Sequence, residues 1–570
     1  MKPLLKVSNL SVSFKTETGK FQALNEISFA ISRGEILAIV GESGSGKSVT
    51  SLSVLQLLPS PSASYDSGEI IFSPDGITEI NILKLGGQDL SSLRGNKISM
   101  IFQEPMTSLN PVITCGEQVA EAIRLHQSSS AKVAKEKTLQ LFERVRLPNP
   151  AAIFKRYPHQ LSGGQKQRVM IAMAMSCRPD LLIADEPTTA LDVTVQKTIL
   201  QLIKTLQKEA DMGVIFITHD LGVVAEIADR VIVMYKGAIA EQGSVRQIME
   251  KPQHPYTKAL LACRPALHPK QVRLPVVSDF ITEDLLHSAI VPKKPAPIIT
   301  NESTLPSAQS EIIMEVRSLQ VLFPGHRGNP VVKAVDDVSF DVYEAETLGL
   351  VGESGCGKTT LGRALLGLIA PTGGDILFRG RNIASIKSEE WKNLRKEIQI
   401  VFQDPYSSLN PRLTIGSAIT EPLKVHGFYE SEKVRKDKVV ELLEKVNLKA
   451  DHFNRYPHEF SGGQRQRIGI ARALVMNPGF IVFDESVSAL DVSVQAQVLN
   501  LINDLKKELK FTAIFISHDL SVVHYISNRI LVMQQGKIVE SGSASQIFHQ
   551  PRETYTRQLV DAIPGGILLN

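Results

Sequence analysis

Cysteine is scarce in this chain of 570 residues, where only Cys115, Cys177, Cys263 and Cys356 occur. Their wide spacing excludes the paired cysteines of a zinc or iron–sulfur site and offers no disulfide framework, so we expect a reducing cytosol. Apolar runs of about 18 residues, the length that spans a membrane, are also lacking. The amino terminus reaches Lys6 before the apolar core of a signal peptide can form. We therefore expect membrane association only through partner proteins.

An excess of either charge is also absent. The chain has 63 Lys and Arg against 59 Asp and Glu, a formal net charge of +4. Such a balance does not indicate a nucleic-acid partner. The length exceeds what one hydrophobic core serves, so several domains are expected.

The dominant feature of the sequence is an internal repeat, which decides the architecture. The segment GESGSGKS at 41–48 returns as GESGCGKT at 352–359, an offset of 352 − 41 = 311. Further segments return in the same order at offsets of 300 and then 299: FQEP (102–105) as FQDP (402–405), LSGGQ (161–165) as FSGGQ (460–464), IADE (183–186) as VFDE (482–485), and THD (218–220) as SHD (517–519).

The repeat divides the chain into two domains, 1–264 and 311–570, joined by a proline-rich linker at 265–310. The first domain has 11 extra residues between its first two landmarks, around 59–87, and their Ser, Pro and Gly content favours a surface loop. Each half starts with an alternating strand, Leu5–Phe14 or Ile313–Phe323, and continues as apolar strands separated by amphipathic segments. This is an α/β pattern.

The glycine-rich segments follow apolar strands and precede potential helices, the context of a phosphate-binding P-loop. Glycines let backbone N–H groups surround phosphate oxygens, while Lys47 or Lys358 reaches the β and γ phosphates. Ser48 or Thr359 is then a Mg²⁺ ligand. We predict that the nucleotide is bound by both loops with the residue that follows each: Gly41, Glu42, Ser43, Gly44, Ser45, Gly46, Lys47, Ser48, Val49, Gly352, Glu353, Ser354, Gly355, Cys356, Gly357, Lys358, Thr359 and Thr360.

Two acidic pairs end apolar strands, at the edge where α/β sheets place ligands. Asp185 and Asp484 suit the outer coordination sphere of Mg²⁺. Glu186 and Glu485, the next residues, are placed to polarise the water that attacks the γ-phosphate in line.

Both halves resemble ATP-binding-cassette (ABC) domains over nearly the whole chain apart from the linker. The resemblance implies two tandem P-loop NTPase domains, each with a RecA-like α/β core, an antiparallel β subdomain and a helical signature subdomain. The family signature precedes predicted helices at 166–177 and 465–476. It implies γ-phosphate contacts from the opposite domain through Ser162, Gly163, Gly164, Gln165, Ser461, Gly462, Gly463 and Gln464.

The same resemblance gives roles to three further residue types. Gln103 and Gln403 would touch Mg²⁺ and the attacking water, and His219 and His518 would contact the γ-phosphate. The catalytic set is then Glu186, Glu485, His219, His518, Gln103 and Gln403, and the metal set is Ser48, Gln103, Asp185, Thr359, Gln403 and Asp484. Phe14 and Phe323 are candidates for stacking on adenine, with Phe21 as a competitor of Phe14.

Because each P-loop of the family needs the other domain's signature, we expect a head-to-tail internal pseudo-dimer with two hydrolytic sites. One site would join Lys47 and its neighbours to Ser461 and Gly463, and the other would join Lys358 to Ser162 and Gly164. Two bound ATP molecules would close the halves, and hydrolysis would release them.

Within the family, the chain resembles the peptide and nickel importer group through the segments HPYTKALL (254–261), ETYTRQL (553–559) and the residues that follow both glutamines. The fused plan is closest to ATPases of oligopeptide and microcin C uptake, and glutathione importers share it. This implies two transmembrane permeases, an extracytoplasmic solute-binding protein, one chain per transporter and a peripheral position on the cytoplasmic side of the inner membrane.

A tandem-cassette translation factor is the alternative from another class. Its linker is typically charged and helical, and its histidine is usually followed by Asp-Arg, whereas Asp220 and Asp519 here precede leucine. A DNA-repair cassette ATPase would need zinc-binding cysteine pairs.

Overall fold

The computed structural model describes residues 2–16, 19–103, 108–189, 191–268, 272–281, 311–324, 331–386, 388–488 and 490–563. They divide into two compact units. The first contains the described residues up to 191, 195–261 and 277–281, and the second contains 192–194, 262–276 and 311–563. No helix within these described ranges is long and apolar enough to cross a membrane.

Ten strands are described in the first half of the chain: β1 Leu5–Thr16, β2 Gly19–Ile31, β3 Ile36–Val40, β4 Ala63–Phe72, β5 Ile80–Asn81, β6 Ile98–Ile101, β7 Leu181–Asp185, β8 Gly213–Thr218, β9 Arg230–Tyr235 and β10 Ala238–Ser244. They form an antiparallel sheet, β2-β1-β4-β5, and a six-stranded sheet, β10-β9-β3-β8-β7-β6, which is parallel except for β10.

Ten α-helices are described in the same half: α1 Lys47–Val54, α2 Gly87–Leu93, α3 Cys115–Gln127, α4 Ala131–Arg144, α5 Pro150–Phe154, α6 Gly163–Ala174, α7 Val193–Ala210, α8 Leu221–Ile227, α9 Val245–Glu250 and α10 Pro255–Ala262. Short 3₁₀ helices lie at Ile82–Lys84, Pro158–Gln160, Pro265–Leu267 and Val277–Asp279.

The second half repeats this arrangement with β11 Ile312–Phe323, β12 Val332–Tyr343, β13 Thr347–Val351, β14 Gly373–Phe378, β15 Arg381–Asn382, β16 Ile398–Val401, β17 Phe480–Asp484, β18 Thr512–Ser517, β19 Arg529–Gln534 and β20 Lys537–Ser543. Its sheets have the orders β12-β11-β14-β15 and β16-β17-β18-β13-β19-β20.

The helices of the second half are α11 Lys358–Leu365, α12 Ser388–Leu394, α13 Ile415–Val425, α14 Glu432–Lys445, α15 Gly462–Leu474, α16 Val492–Leu509, α17 Leu520–Ile526, α18 Ala544–His549 and α19 Thr554–Asp561. Its 3₁₀ helices are Ala450–Asn454 and Pro457–Glu459.

The central strands are buried on both faces, which explains why they read as unbroken apolar runs. Every residue of β3, β7 and β8 is buried, as is every residue of β13, β17 and β18. This confirms the predicted fold of two α/β cores, each with an antiparallel sheet and a helical segment that includes the signature.

The insertion of the first half is only partly the surface loop that the sequence predicts. Part of it extends β4 to ten residues, against six in β14, and most of the remainder lies in the turn at 73–79. The longer strand is stabilised by its ladder with β1, in which Phe14 pairs with Ala63.

Residues 265–268 and 272–281 of the proposed linker are described, and 282–310 lie outside the described residues. Leu274 is fully buried in the second unit, where its backbone N–H and C=O bond the side chain of Asn500 at 2.9 and 2.8 Å. The Tyr525 hydroxyl donates to the carbonyl of Val272 at 2.8 Å. The linker limits of 265 and 310 themselves stay a prediction.

Candidate active site

Each P-loop lies at the carboxyl edge of its parallel sheet. In the first half it connects Val40, the end of β3, to α1, which begins at Lys47. Gly46 caps this helix with φ 102°, a backbone conformation that favours glycine. The buried Lys47 Nζ donates to the carbonyls of Gly41 and Glu42 at 2.7 and 2.9 Å. The loop therefore holds its own lysine in place.

The second P-loop repeats this geometry. Lys358 begins α11, and its Nζ donates to the carbonyls of Gly352 and Glu353 at 2.8 and 2.9 Å. Its Nζ also lies 3.8 Å from Oε1 of Glu485. Both predicted phosphate-binding lysines thus occupy equivalent positions.

The parallel register brings the other predicted site residues to the same edge. Val40 pairs with Thr218, and Asp185 pairs with Ile217, so three strands end side by side. His219 follows Thr218 directly. This is the edge at which α/β sheets place ligands.

A hydroxyl and a carboxylate face each other beside each lysine. Ser48 Oγ lies 3.4 Å from Oδ1 of Asp185, and Thr359 Oγ1 lies 3.0 Å from Oδ1 of Asp484. Burial, the largest influence, raises the pKa of Asp185 to about 6 and also raises the pKa of Asp484. Two hard oxygen donors at this spacing fit the ligand preference of Mg²⁺.

Glu186 accepts hydrogen bonds from both residues that the sequence pairs with it. Gln103 Nε2 donates to its Oε2 at 3.0 Å, and Nδ1 of His219 lies 3.5 Å from the same oxygen. The glutamate has φ 45°, in the left-handed region that a side chain rarely adopts. Such strain is typical of functional positions.

The second half holds the same triad. Gln403 Nε2 donates to Oε2 of Glu485 at 2.8 Å, and His518 Nδ1 lies 3.5 Å from that oxygen. Glu485 also has φ 45°. The predicted glutamine, glutamate and histidine therefore lie together in each half.

Charge keeps both glutamates ionised in spite of their burial. Burial alone raises the pKa of Glu186, but the hydrogen bond from His219 and the charges of His219 and Lys47 outweigh it and lower the pKa to about 2. At Glu485, burial again raises the pKa, but the hydrogen bond from His518 and the charges of His518 and Lys358 outweigh it. The pKa of Glu485 is therefore also lowered. A carboxylate in this state can accept a proton or orient water.

The signature helices begin three residues earlier than predicted. They are Gly163–Ala174 and Gly462–Leu474, because Ser162 and Ser461 cap them. Ser162 Oγ accepts from the backbone N–H of Gln165 at 3.3 Å, and Gln165 Oε1 accepts from that of Ser162 at 3.2 Å. This reciprocal capping box orders the helix amino terminus and leaves backbone N–H groups directed outwards.

The aromatic candidates differ in their surroundings. Phe14 pairs with Phe21 across β1 and β2, and its ring packs partly against the core of the first unit. Phe21 is 58% exposed and Phe323 is 41% exposed. Phe21 therefore competes with Phe14 as the first-half candidate, as the sequence already indicated.

Several polar contacts at the site were not predicted. Thr189 Oγ1 donates to Oε2 of Glu186 at 2.9 Å, and Ser51 Oγ lies 3.5 Å from Oδ2 of Asp185. The hydroxyls of Tyr256 and Tyr555 each contact a P-loop. Only the tyrosines carry a sequence signal, because they occupy matching positions in the two extension segments.

A cavity of about 360 Å³ lies beside the segment that follows Gln403 in the second unit. Its lining includes Phe402, Pro405, Val425 and Met476. Phe402 and Val425 are partly exposed apolar side chains on its rim. In the first half, residues 104–107 of the matching segment lie outside the described residues.

The two sites define a tandem P-loop ATPase. The model of the ABC transporter family matches residues 24–189 and 335–488, and the chain belongs to this family. The model of the oligopeptide/dipeptide transporter C-terminal region matches residues 240–279 and 539–565. These matches confirm the predicted ATPase and its resemblance to the peptide importer group.

Curated relatives align with this chain over most of their length. The chain is 50% identical to the glutathione import ATP-binding protein GsiA of Pectobacterium atrosepticum, over 99% of this chain and 90% of that protein. It is also 50% identical to GsiA of Escherichia coli K12, over 98% of this chain and 89% of that protein. A solved structure, the dimeric post-hydrolysis state of the ATP-binding cassette MJ0796 bound to ADP and Pi, is 27% identical with a TM-score of 0.37, and the match covers 40% of this chain and 98% of that one.

Proposed function

We propose that the chain is the ATP-hydrolysing subunit of an importer for glutathione or similarly small peptides. The observation that carries this proposal is the coincidence of two complete P-loop sites with two oligopeptide/dipeptide transporter extensions on one chain. The names of the 50% identical relatives support glutathione, a tripeptide, as the solute class.

In each half, the glutamate after the acidic strand end orients the attacking water. Glu186 or Glu485, held as a carboxylate, accepts a hydrogen bond from the water whose oxygen attacks the γ-phosphorus, while the bond to the bridging oxygen of ADP breaks. Gln103 or Gln403 fixes the carboxylate, and His219 or His518 contacts the γ-phosphate.

Mg²⁺ fits the oxygen donors beside each P-loop. Ser48, Asp185 and Gln103 would hold it in the first half, and Thr359, Asp484 and Gln403 would hold it in the second. When bound, the ion neutralises phosphate charge. The lysines Lys47 and Lys358 bind the phosphates, and the pairing of each P-loop with the signature of the other cassette stays a prediction of the family resemblance.

The partners of this ATPase are two transmembrane permeases that place it at the periphery of the inner membrane, together with an extracytoplasmic solute-binding protein. The cavity beside Phe402 supports a permease contact, because an apolar groove with exposed rim residues suits an inserted helix. No partner from the ribosome is expected.

Co-purification from membranes tests the proposal. The tagged chain should retain two polytopic proteins, and Val425→Glu, which puts a charge on the cavity rim, should reduce their recovery. Lys433→Glu, an exposed charge change elsewhere on the helical segment, is the matched control. Ribosomes in place of polytopic proteins would overturn the assignment.

Uptake by the reconstituted complex then identifies the solute. Labelled glutathione should accumulate in an ATP-dependent manner, and competition by unlabelled dipeptides measures whether the solute class extends to other small peptides. Equal competition by dipeptides would favour the oligopeptide/dipeptide class indicated by the extension.

A further inference from the structure

We propose that the carboxyl-terminal extension of each cassette forms part of its nucleotide site, with Tyr256 and Tyr555 as positioning residues for the P-loops. The Tyr256 hydroxyl accepts a hydrogen bond of 3.0 Å from the backbone N–H of Glu42. The Tyr555 hydroxyl accepts one of 3.0 Å from the backbone N–H of Glu353. Both tyrosines are buried.

These bonds fix a peptide unit that also holds the P-loop lysine. The carbonyl of Gly41 and the N–H of Glu42 belong to one planar peptide group. Lys47 Nζ donates to that carbonyl at 2.7 Å, while Tyr256 accepts from the N–H. A rotation of this peptide would break both bonds, so the tyrosine keeps the carbonyl directed at the lysine.

The second half has the same arrangement with different neighbours. Lys358 Nζ donates to the carbonyl of Gly352, and Tyr555 accepts from the N–H of the same peptide unit. The sequences around the two tyrosines are HPYT and ETYT, so the copies agree on Tyr-Thr but not on His-Pro. The contact therefore does not depend on the rest of the motif.

Each carboxyl-terminal extension is anchored to a strand of its own cassette, so it can hold the P-loop in place. The Glu241 carboxylate on β10 accepts the backbone N–H groups of Gln253 and His254, at 2.8 and 3.0 Å, just before α10. Glu540 on β20 accepts the two N–H groups that precede α19, at 2.9 and 3.1 Å. Each tyrosine is thus carried by a helix whose start is anchored to the sheet.

A glycine-rich loop needs such a stabilising contact, because glycine gives up more conformational freedom on ordering than other residues do. Gly44 and Gly46 have φ of 80° and 102°, and Gly355 and Gly357 have φ of 82° and 113°. A loop that is already ordered binds phosphate without a further entropic cost. Removal of the hydroxyl should therefore weaken ATP binding and leave the chemical step nearly unchanged.

The test uses the full chain with Tyr256→Phe and Tyr555→Phe, singly and together, since phenylalanine keeps the buried ring. Loss of one hydrogen bond at each site predicts a KM for ATP raised about five- to tenfold, with kcat changed less than about twofold. Tyr235→Phe is the matched control, because its ring lies 4.4 Å from that of Tyr256 and its KM should stay unchanged.

Amide hydrogen exchange gives a second readout that does not depend on turnover. The P-loop peptide that contains Glu42 should exchange faster in Tyr256→Phe than in the wild type, while peptides of β3 should not change. A KM within about twofold of wild type, an equal effect of Tyr235→Phe, or unchanged P-loop exchange in a folded variant would each overturn the proposal.

Discussion

Gln403 donates a hydrogen bond of 2.8 Å through Nε2 to Oε2 of Glu485. The acceptor oxygen belongs to a carboxyl group that the hydrogen bond from His518 and the charges of His518 and Lys358 keep ionised, because they lower its pKa in spite of burial. The first half repeats the relationship, and the glutamates are therefore the residues whose charge is expected to matter most for turnover.

The double variant Glu186→Gln, Glu485→Gln should bind ATP but lose at least about 100-fold in phosphate release, because an amide cannot accept the proton of the attacking water. Equilibrium titration measures ATP binding by this variant, and a coupled assay measures its phosphate release. Glu250→Gln, on the exposed face of α9, is the control and should keep normal turnover. Undiminished release in the double variant contradicts the assigned role.

Gly463→Ala should destabilise the second unit, because the added Cβ would lie 2.2 Å from Cγ1 of Val494. Overpacking of this kind costs about 1–3 kcal/mol. Gly462→Ala is the matched control, since nothing lies within 4 Å of its Cβ position. Denaturant unfolding of the two variants should separate them, and equal stabilities would show that the helix moves freely away from Val494.

Asn500→Ala should loosen residues 272–276 from the second unit. The substitution leaves the backbone N–H and C=O of the buried Leu274 without their side-chain partners, a loss of about 1–3 kcal/mol. Limited proteolysis should cut this segment sooner than in the wild type. Asp504→Asn, which removes only an exposed ion pair with Arg273, should not change the cleavage rate.

Cys115 should resist alkylation at pH 8. Burial raises the pKa of its thiol to about 11, and only the thiolate is nucleophilic, so about 0.1% is reactive at that pH. Cys177, which is half-buried, should react first, and its loss in Cys177→Ser should remove the early label. Mass spectrometry of timed samples measures both, and early labelling of Cys115 contradicts the expectation unless the protein is unfolded.

The catalytic residues can be predicted from the sequence because the chain contains two copies of one domain, and each copy can be compared with the other. The apolar strands predicted before the first glycine-rich segment and at the two acidic pairs are present as Ile36–Val40, Leu181–Asp185 and Phe480–Asp484. The glutamine, glutamate and histidine of each half meet at one carboxylate, although 83 residues separate Gln103 from Glu186. The alignment of the two copies makes such long-range contacts predictable, because both halves preserve the same order of motifs.

Contacts made by common side chains are not visible in the sequence. Asn500 reads as an ordinary polar residue of an amphipathic helix, yet its amide holds the backbone of Leu274 from 226 residues away. Tyr256 marks a family segment without revealing that its hydroxyl faces a P-loop. The signature helix starts early because the Ser162 cap outweighs the low helix propensity of two glycines.

The two P-loop segments differ at two positions, Ser45 against Cys356 and Ser48 against Thr359, and the side chains of Ser45 and Cys356 are both buried. Because both loops lie on a single polypeptide, a change in one gene alters one loop and leaves the other intact. A homodimeric ATPase would receive every such change twice. Evolution and the experimenter alike can therefore vary one site of this enzyme while the other serves as its reference.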